Sequence, residues 1–207
     1  MAEAGASDRR PELREALLAS ATRMFLERPY GEVRVDDVVA DAGVAKGLAF
    51  YYFGSKRGLY AAVVQSLMAQ LVARTMPDPA LPPRQREVAA VESFVEWAAE
   101  TKGVENILST WSAGDAEVDA VFRETADRII EQVVAGMSDM PGGPGTKDEL
   151  PRALLSRSIW GWLAFARIVT ADWLRKRDME PELLRDLLVG ALDGVVATAR
   201  AVGARPR

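Results

Sequence analysis

The sequence predicts an all-α fold of about nine helices. A three-helix N-terminal head containing a helix-turn-helix precedes a larger C-terminal helical domain. Three observations carry this prediction. Apolar residues recur at three- and four-residue spacing along most of the 207 residues, and no stretch sustains the alternation of a strand. The apolar-faced segment Val35–Asp41 is interrupted by Ala42-Gly43-Val44 and resumes at Ala45, the pattern of two short helices joined by a sharp turn. Pro77, Pro79, Pro82 and Pro83 then break the chain too densely for a helix to pass.

Residues 1–10 are small, polar and charged, and read as a flexible tail. A first helix is expected from Pro11, a residue suited to the first helical position, to about Arg28. Leu13, Leu17, Ala21, Met24 and Phe25 form its buried stripe. Pro29-Tyr30-Gly31 connects it to the second helix, Val35–Asp41, whose apolar face is Val35, Val38 and Val39. Asp36 and Asp37 complement the positive N-terminal end of that helix. Gly43 supplies the left-handed backbone that a tight turn needs. The third helix runs from Ala45 to about Tyr52 and stops at Gly54-Ser55. Ser55 is a good N-cap for a fourth helix, which continues through Leu59, Val63, Leu67 and Leu71 to about Thr75.

Beyond the prolines, Arg84–Lys102 is helical in pattern and is stopped by Gly103. A short piece, Val104–Trp111, follows, then a long helix over Asp115–Met137. Met140-Pro141-Gly142-Gly143-Pro144-Gly145 reads as a loop. Two long helices, Leu150–Lys176 and Glu180–Val202, end the chain. The domain boundaries expected are 1–10 for the tail, 11–56 for the head and 57–207 for the helical body.

Composition narrows the function classes. Hydrophobic residues make up 49% of the chain, enough for a globular core. There is no cysteine and no histidine, so disulfides, thiolate metal sites, cysteine nucleophiles and imidazole general bases are excluded. No Walker loop, nucleophile elbow or H-E-x-x-H motif is present, and no cofactor or metal is implied. An enzyme is not expected. The first ten residues lack the apolar run of a signal peptide. The run Ser158–Ala166 is too short to span a bilayer, so a soluble, cytoplasmic protein is expected. The net charge of −4 argues against a protein that coats nucleic acid. Yet no acidic residue lies between Asp41 and Asp78, while Lys46, Lys56, Arg57 and Arg74 do. The positive stretch coincides with the helix-turn-helix, whose second helix can enter a DNA major groove.

Gly43-Val44-Ala45-Lys46-Gly47, then Phe50-Tyr51-Tyr52-Phe53, then Gly54-Ser55-Lys56 and Leu59, resembles the N-terminal signature of the TetR family of bacterial transcriptional regulators. Ala21-Thr22-Arg23-Met24-Phe25 fits the preceding helix of that family. The resemblance covers roughly residues 12–62. It implies a homodimeric, ligand-responsive regulator, most often a repressor, bound to a pseudo-palindromic double-stranded operator. It carries DNA contact over to Arg34, Ala45, Lys46, Gly47, Leu48, Phe50, Tyr51, Tyr52 and Lys56. Three departures stand out. Val33 and Arg34 occupy positions where the family commonly has a capping Thr or Ser, which weakens the cap of the second helix; Phe50 stands where it commonly has Tyr; and Leu48-Ala49 stands where a polar residue followed by Leu is common. Leu48 either meets a thymine methyl or fills space beside the small Ala49.

The resemblance also implies a small-molecule effector site in the helical body, for which Phe94, Trp97, Trp111, Phe122, Trp162 and Phe165 are the candidate lining. The last two helices are expected to pair with a second subunit through Leu184, Leu188, Ala191, Leu192 and Val195. Gly190 and Gly194 would allow close helix approach. The alternative is an all-α ligand-binding or protein-interaction module that no longer reads DNA.

Overall fold

The computed structural model describes residues 4–78, 80–109, 116–138 and 149–203. Among the described residues there are nine helices and no strand. They are α1 (Ala4–Glu27), α2 (Val35–Asp41), α3 (Lys46–Phe53), α4 (Lys56–Thr75), α5 (Pro83–Glu100), α6 (Val104–Leu108), α7 (Ala116–Ser138), α8 (Glu149–Lys176) and α9 (Pro181–Gly203). Trp111 and the 140–145 segment lie outside the described residues. No described helix is long and apolar enough to cross a membrane.

The first helix differs from expectation. It begins at Ala4, so Pro11 sits inside it and residues 4–10 are helical, not a tail. Proline lacks an N–H and costs the helix one ladder bond, but its fixed φ is itself helical. The turn ahead of it therefore persists.

The chain divides into two compact units. The first comprises residues 1–68 and 102–121; the second comprises 69–101 and 122–207. The first is larger than the expected 11–56 head, because it takes in the start of α4 and all of α6. Its core is apolar and continuous along the chain's early helices. Leu17, Ala21 and Phe25 of α1, Val38 of α2, and Leu59, Val63 and Val64 of α4 are all buried, with Val33 from the connector. Phe25, Tyr30 and Tyr60 form an aromatic trio with ring centroids 4.8–5.9 Å apart.

Helix α6 packs on α1. Its Val104, Ile107 and Leu108 are buried. Asn106 Nδ2 donates to the Leu26 carbonyl at 2.8 Å, satisfying a C-terminal acceptor of α1. Gly103 enters α6 with φ of 83°, and a Cβ there would lie 2.0 Å from the Leu26 oxygen. Only glycine fits that entry.

In the second unit α8 and α9 pack along their lengths, and α5 packs on both. Ile130 and Val134 of α7, Leu155 and Ile159 of α8, and Leu192, Val196 and Ala199 of α9 form one buried cluster. The Trp173 indole donates to the Met179 carbonyl at 2.8 Å and secures the α8–α9 turn. Arg84 pairs with Asp193 and Arg185 with Glu92, tying α5 to α9 on the surface.

Candidate nucleic-acid interface

The two short helices are set by backbone chemistry more than by capping side chains. Arg34 is the N-cap of α2, extended at φ −107° and ψ 139°, and makes no side-chain cap bond. The weakened cap expected from Val33 and Arg34 is therefore present. Arg34 is exposed, while Val33 points inward and is buried. At the turn, Gly43 has φ of 67°, and the Val44 N–H donates to Val39 O at 3.0 Å. Ala45, extended and exposed, is the N-cap of α3.

Helix α3 is divided lengthwise by burial. Ala49 is buried against the rest of the unit. Leu48, Tyr52 and Phe53 are half-buried, and the Arg14 guanidinium lies 5.3 Å from the Phe53 ring centroid. Lys46, Gly47, Phe50 and Tyr51 are exposed. These four lie at i, i+1, i+4 and i+5, so they share one face of the helix. Phe50 is 44% and Tyr51 70% exposed, although both are large and aromatic. Tyr51 and Tyr52 meet edge to face at 5.1 Å.

Charge on this surface is arranged by neighbours the sequence did not single out. Lys46 Nζ pairs with Asp36 Oδ1 of α2 at 2.6 Å. The hydrogen bond from Lys46 holds the Asp36 carboxyl below its usual range. Lys56 begins α4 with its ammonium 4.4 Å from the centroid of the Tyr30 ring. Partial burial lowers its pKa from the ordinary lysine value. The aromatic trio thus aims Lys56 by a cation–π contact. Ser55 caps α4 as expected, accepting the Gly58 N–H at 3.0 Å. Gly58 also lets the chain turn tightly, since a Cβ there would lie 2.1 Å from Phe53 O. The α3–α4 joint therefore fixes Lys56 relative to the exposed face of α3. Tyr30 and Asp36 were legible only as connector and helix-end residues, because their partners are remote in sequence or across the turn.

The candidate effector residues are in the second unit, apart from Trp111, which lies outside the described residues. Trp97 is buried, and Phe94 stacks on it at 6.4 Å. Phe122 is half-buried, with the buried Arg167 guanidinium 5.6 Å from its ring centroid. Trp162 is half-buried against the core cluster and donates its indole N–H to Leu188 O at 2.9 Å. Phe165 does not line an interior. It is exposed on α8, one turn before Ile168, while Trp162 and Ala166 take the covered side of the helix.

The expected pairing stripe needs correction. Leu184 and Leu188 are fully buried, Leu192 belongs to the core cluster, Val195 packs against it, and Ala191 is half-buried. These residues hold the subunit's own helices together. Helix α9 carries a second apolar stripe one residue earlier, and that one is exposed: Leu183, Leu187, Gly190 and Gly194.

Among the described residues, nine helices, with α2 and α3 joined by a tight turn and an aromatic-bearing face of α3 exposed, have the architecture of a helix-turn-helix protein. Residues 17–63 match the family model described as bacterial regulatory proteins, tetR family. The chain is 25% identical over 191 residues to the transcriptional repressor DhaR of Mycobacterium sp. strain GP1, covering 90% of this chain and 82% of that protein. It is 37% identical over 94 residues to the transcriptional activator FasR of Mycolicibacterium smegmatis, covering 42% of this chain and 41% of that one. Among solved structures, a tetR-family transcriptional regulator from Streptomyces coelicolor superposes with a TM-score of 0.75 at 21% identity, covering 93% of this chain and 83% of that one. A TetR-like regulator from Rhodococcus sp. RHA1 gives 0.63 at 23% identity, over 93% and 97%. The chain belongs to the TetR family of bacterial transcriptional regulators.

Proposed function

We propose that this chain is a ligand-responsive transcriptional repressor that reads a pseudo-palindromic operator as a homodimer. The observation that carries the reading is the exposed face of α3, where Lys46, Gly47, Phe50 and Tyr51 stand together in a stretch without acidic residues. A helix presented in this way places its first residues at base edges and its flanks at phosphates. Lys46 donates to guanine O6 and N7 or to phosphate. Tyr51 and Tyr52 offer hydroxyls to phosphate, and Lys56 offers a positioned ammonium. Arg34, at the exposed start of α2, supplies a further charge on the backbone.

Repression is favoured over activation because DhaR, aligned along most of both chains, is named a repressor, whereas the alignment to the activator FasR covers under half of either. Pairing runs through the exposed stripes of the last two helices: Leu183, Leu187, Gly190 and Gly194 of α9, with Gly161, Phe165 and Ile168 of α8. The effector enters the second unit near Phe94, Trp97 and Phe122. It acts by favouring an arrangement in which the two recognition helices no longer match successive grooves. A coupling of about 1–3 kcal/mol is enough for such a switch.

Selection of genomic fragments by the purified protein, followed by footprinting, tests the reading. A protected palindrome with half-sites about 34–36 Å apart, or a multiple of that, is expected. No enrichment at low salt overturns it and returns the chain to the class of interaction modules.

A further inference from the structure

The exposed face of α3 is poor in hydrogen-bonding groups for a surface that reads bases. Its only ammonium, Lys46, is engaged by Asp36 at 2.6 Å. Phe50 carries no polar atom, yet it is 44% exposed on that face. Gly47, three residues before it, has open space around it: a Cβ there would meet nothing within 4 Å. Packing within the chain therefore does not require the glycine, and it leaves much of the phenylalanine uncovered. A helix interior disfavours glycine, and water disfavours an exposed phenyl ring. Both become favourable when something apolar and closely approaching covers them.

We propose that Phe50 is a specificity-determining residue that reads thymine 5-methyl groups, with Gly47 giving the duplex room to come close. This inference rests on the DNA-binding reading above. The thymine methyl is the one apolar group that base pairs display in the major groove, so an uncharged ring without donors selects for it and not for guanine. Leu48, the other apolar residue near the helix start, is half-buried and less available. The Tyr51 hydroxyl, on the most exposed ring of the face, suits a phosphate instead. The half-site selected by this chain is therefore thymine-rich where Phe50 lands, and Lys46 supplies at most one guanine contact.

The test uses full-length protein and the tightest duplex recovered by selection. Each thymine of one half-site is replaced in turn by deoxyuridine, which keeps base pairing and removes only the methyl. Wild-type protein is expected to lose about fourfold in affinity for each methyl that Phe50 buries, the transfer worth of one buried carbon. Phe50→Ala is expected to bind more weakly and to lose sensitivity to uracil at those positions. Its salt dependence should not change, since no phosphate contact is removed. Phe50→Tyr keeps the ring and should retain the uracil effect. Tight binding by wild type with indifference to every uracil overturns the proposal alone. Uracil sensitivity that survives in Phe50→Ala also overturns it and transfers the role to Leu48. Failure to retain any duplex at low salt overturns the DNA-binding reading itself, and the proposal with it.

Discussion

Gly47→Ala separates folding from recognition. Gly47 is the second residue of α3 (Lys46–Phe53), it is exposed, and a Cβ built on it meets no atom within 4 Å. Alanine is favoured over glycine by up to about 1 kcal/mol inside a helix, and by less in its first turn. The variant should therefore unfold at equal or higher urea concentration, by a few tenths of a kcal/mol to about 1 kcal/mol. Its DNA affinity should move the other way. The new methyl protrudes from the face that holds Lys46, Phe50 and Tyr51, where the duplex approaches. Forcing one methyl into a close-packed contact costs about 1–3 kcal/mol, a factor of about 5 to 150 in Kd. Urea titrations and fluorescence anisotropy on an operator duplex at two salt concentrations measure both sides. Wild-type affinity in a folded Gly47→Ala protein would refute the close approach. Lower stability would show that the glycine serves the fold.

Lys56→Ala should weaken binding to all duplexes alike and reduce the slope of log Kd against log salt by about one unit; an unchanged slope removes Lys56 from the phosphate contacts. Asp36→Asn releases Lys46 and removes a carboxylate from the DNA-facing surface, so affinity should rise about two- to fivefold at low salt and converge with wild type at high salt. Because Lys46 depresses the Asp36 pKa, this pair's contribution to stability is present at neutral pH and is lost as pH falls below the usual carboxylate range, through the lowered Asp36 value. The stabilities of wild type and Asp36→Asn should therefore differ at neutral pH and converge in that acid range. Gly103→Ala strains a left-handed residue at about 1–2 kcal/mol and displaces α6 from Leu26, losing a hydrogen bond worth about 1 kcal/mol; a loss below about 0.5 kcal/mol in chemical denaturation would contradict the packing described. Leu187→Arg, at a residue 46% exposed on α9, should yield folded monomers in sedimentation, whereas Leu188→Arg buries an unpaired charge and should destabilise the subunit by about 3 kcal/mol or more.

Much of the head was legible because its signals are local. The Val35, Val38 and Val39 spacing, the glycine at the turn and the Ser55 cap each act within a few residues, and α2, α3 and α4 begin and end within a residue or two of expectation. What escaped depends on partners distant in sequence. Asn106 reaches Leu26 across eighty positions, so a short piece after Gly103 gave no hint that it closes on α1. Asp36 looked like an ordinary N-terminal complement of α2. Its pairing with Lys46 follows only from the angle at which the turn sets α3. Phe50 was visible as a departure from the family pattern. Its exposure was not, because a phenyl ring on a short helix reads equally well as core.

The α9 stripe shows how one residue of phase decides a functional assignment. Helix α9 is apolar around much of its circumference, and each step along the chain rotates the face by about 100°. Leu184, Leu188 and Leu192 repeat every four residues and present the larger, more uniform side chains. They form the stripe that neighbouring helices of the same subunit cover. Leu183, Leu187, Gly190 and Gly194 mix large with absent side chains. Such a stripe fills an intrachain core poorly but suits a facing copy whose leucines can sit over the glycines. The glycine pair already marked that face. Gly190 lies three residues after Leu187 and Gly194 seven, both in phase with it, whereas the Leu184–Leu188 stripe continues to Leu192 and passes the glycines by. Periodicity alone leaves the two stripes equivalent. The four-residue spacing of glycines on which a Cβ would meet nothing within 4 Å is what favours this face for the partner in the homodimer proposed above.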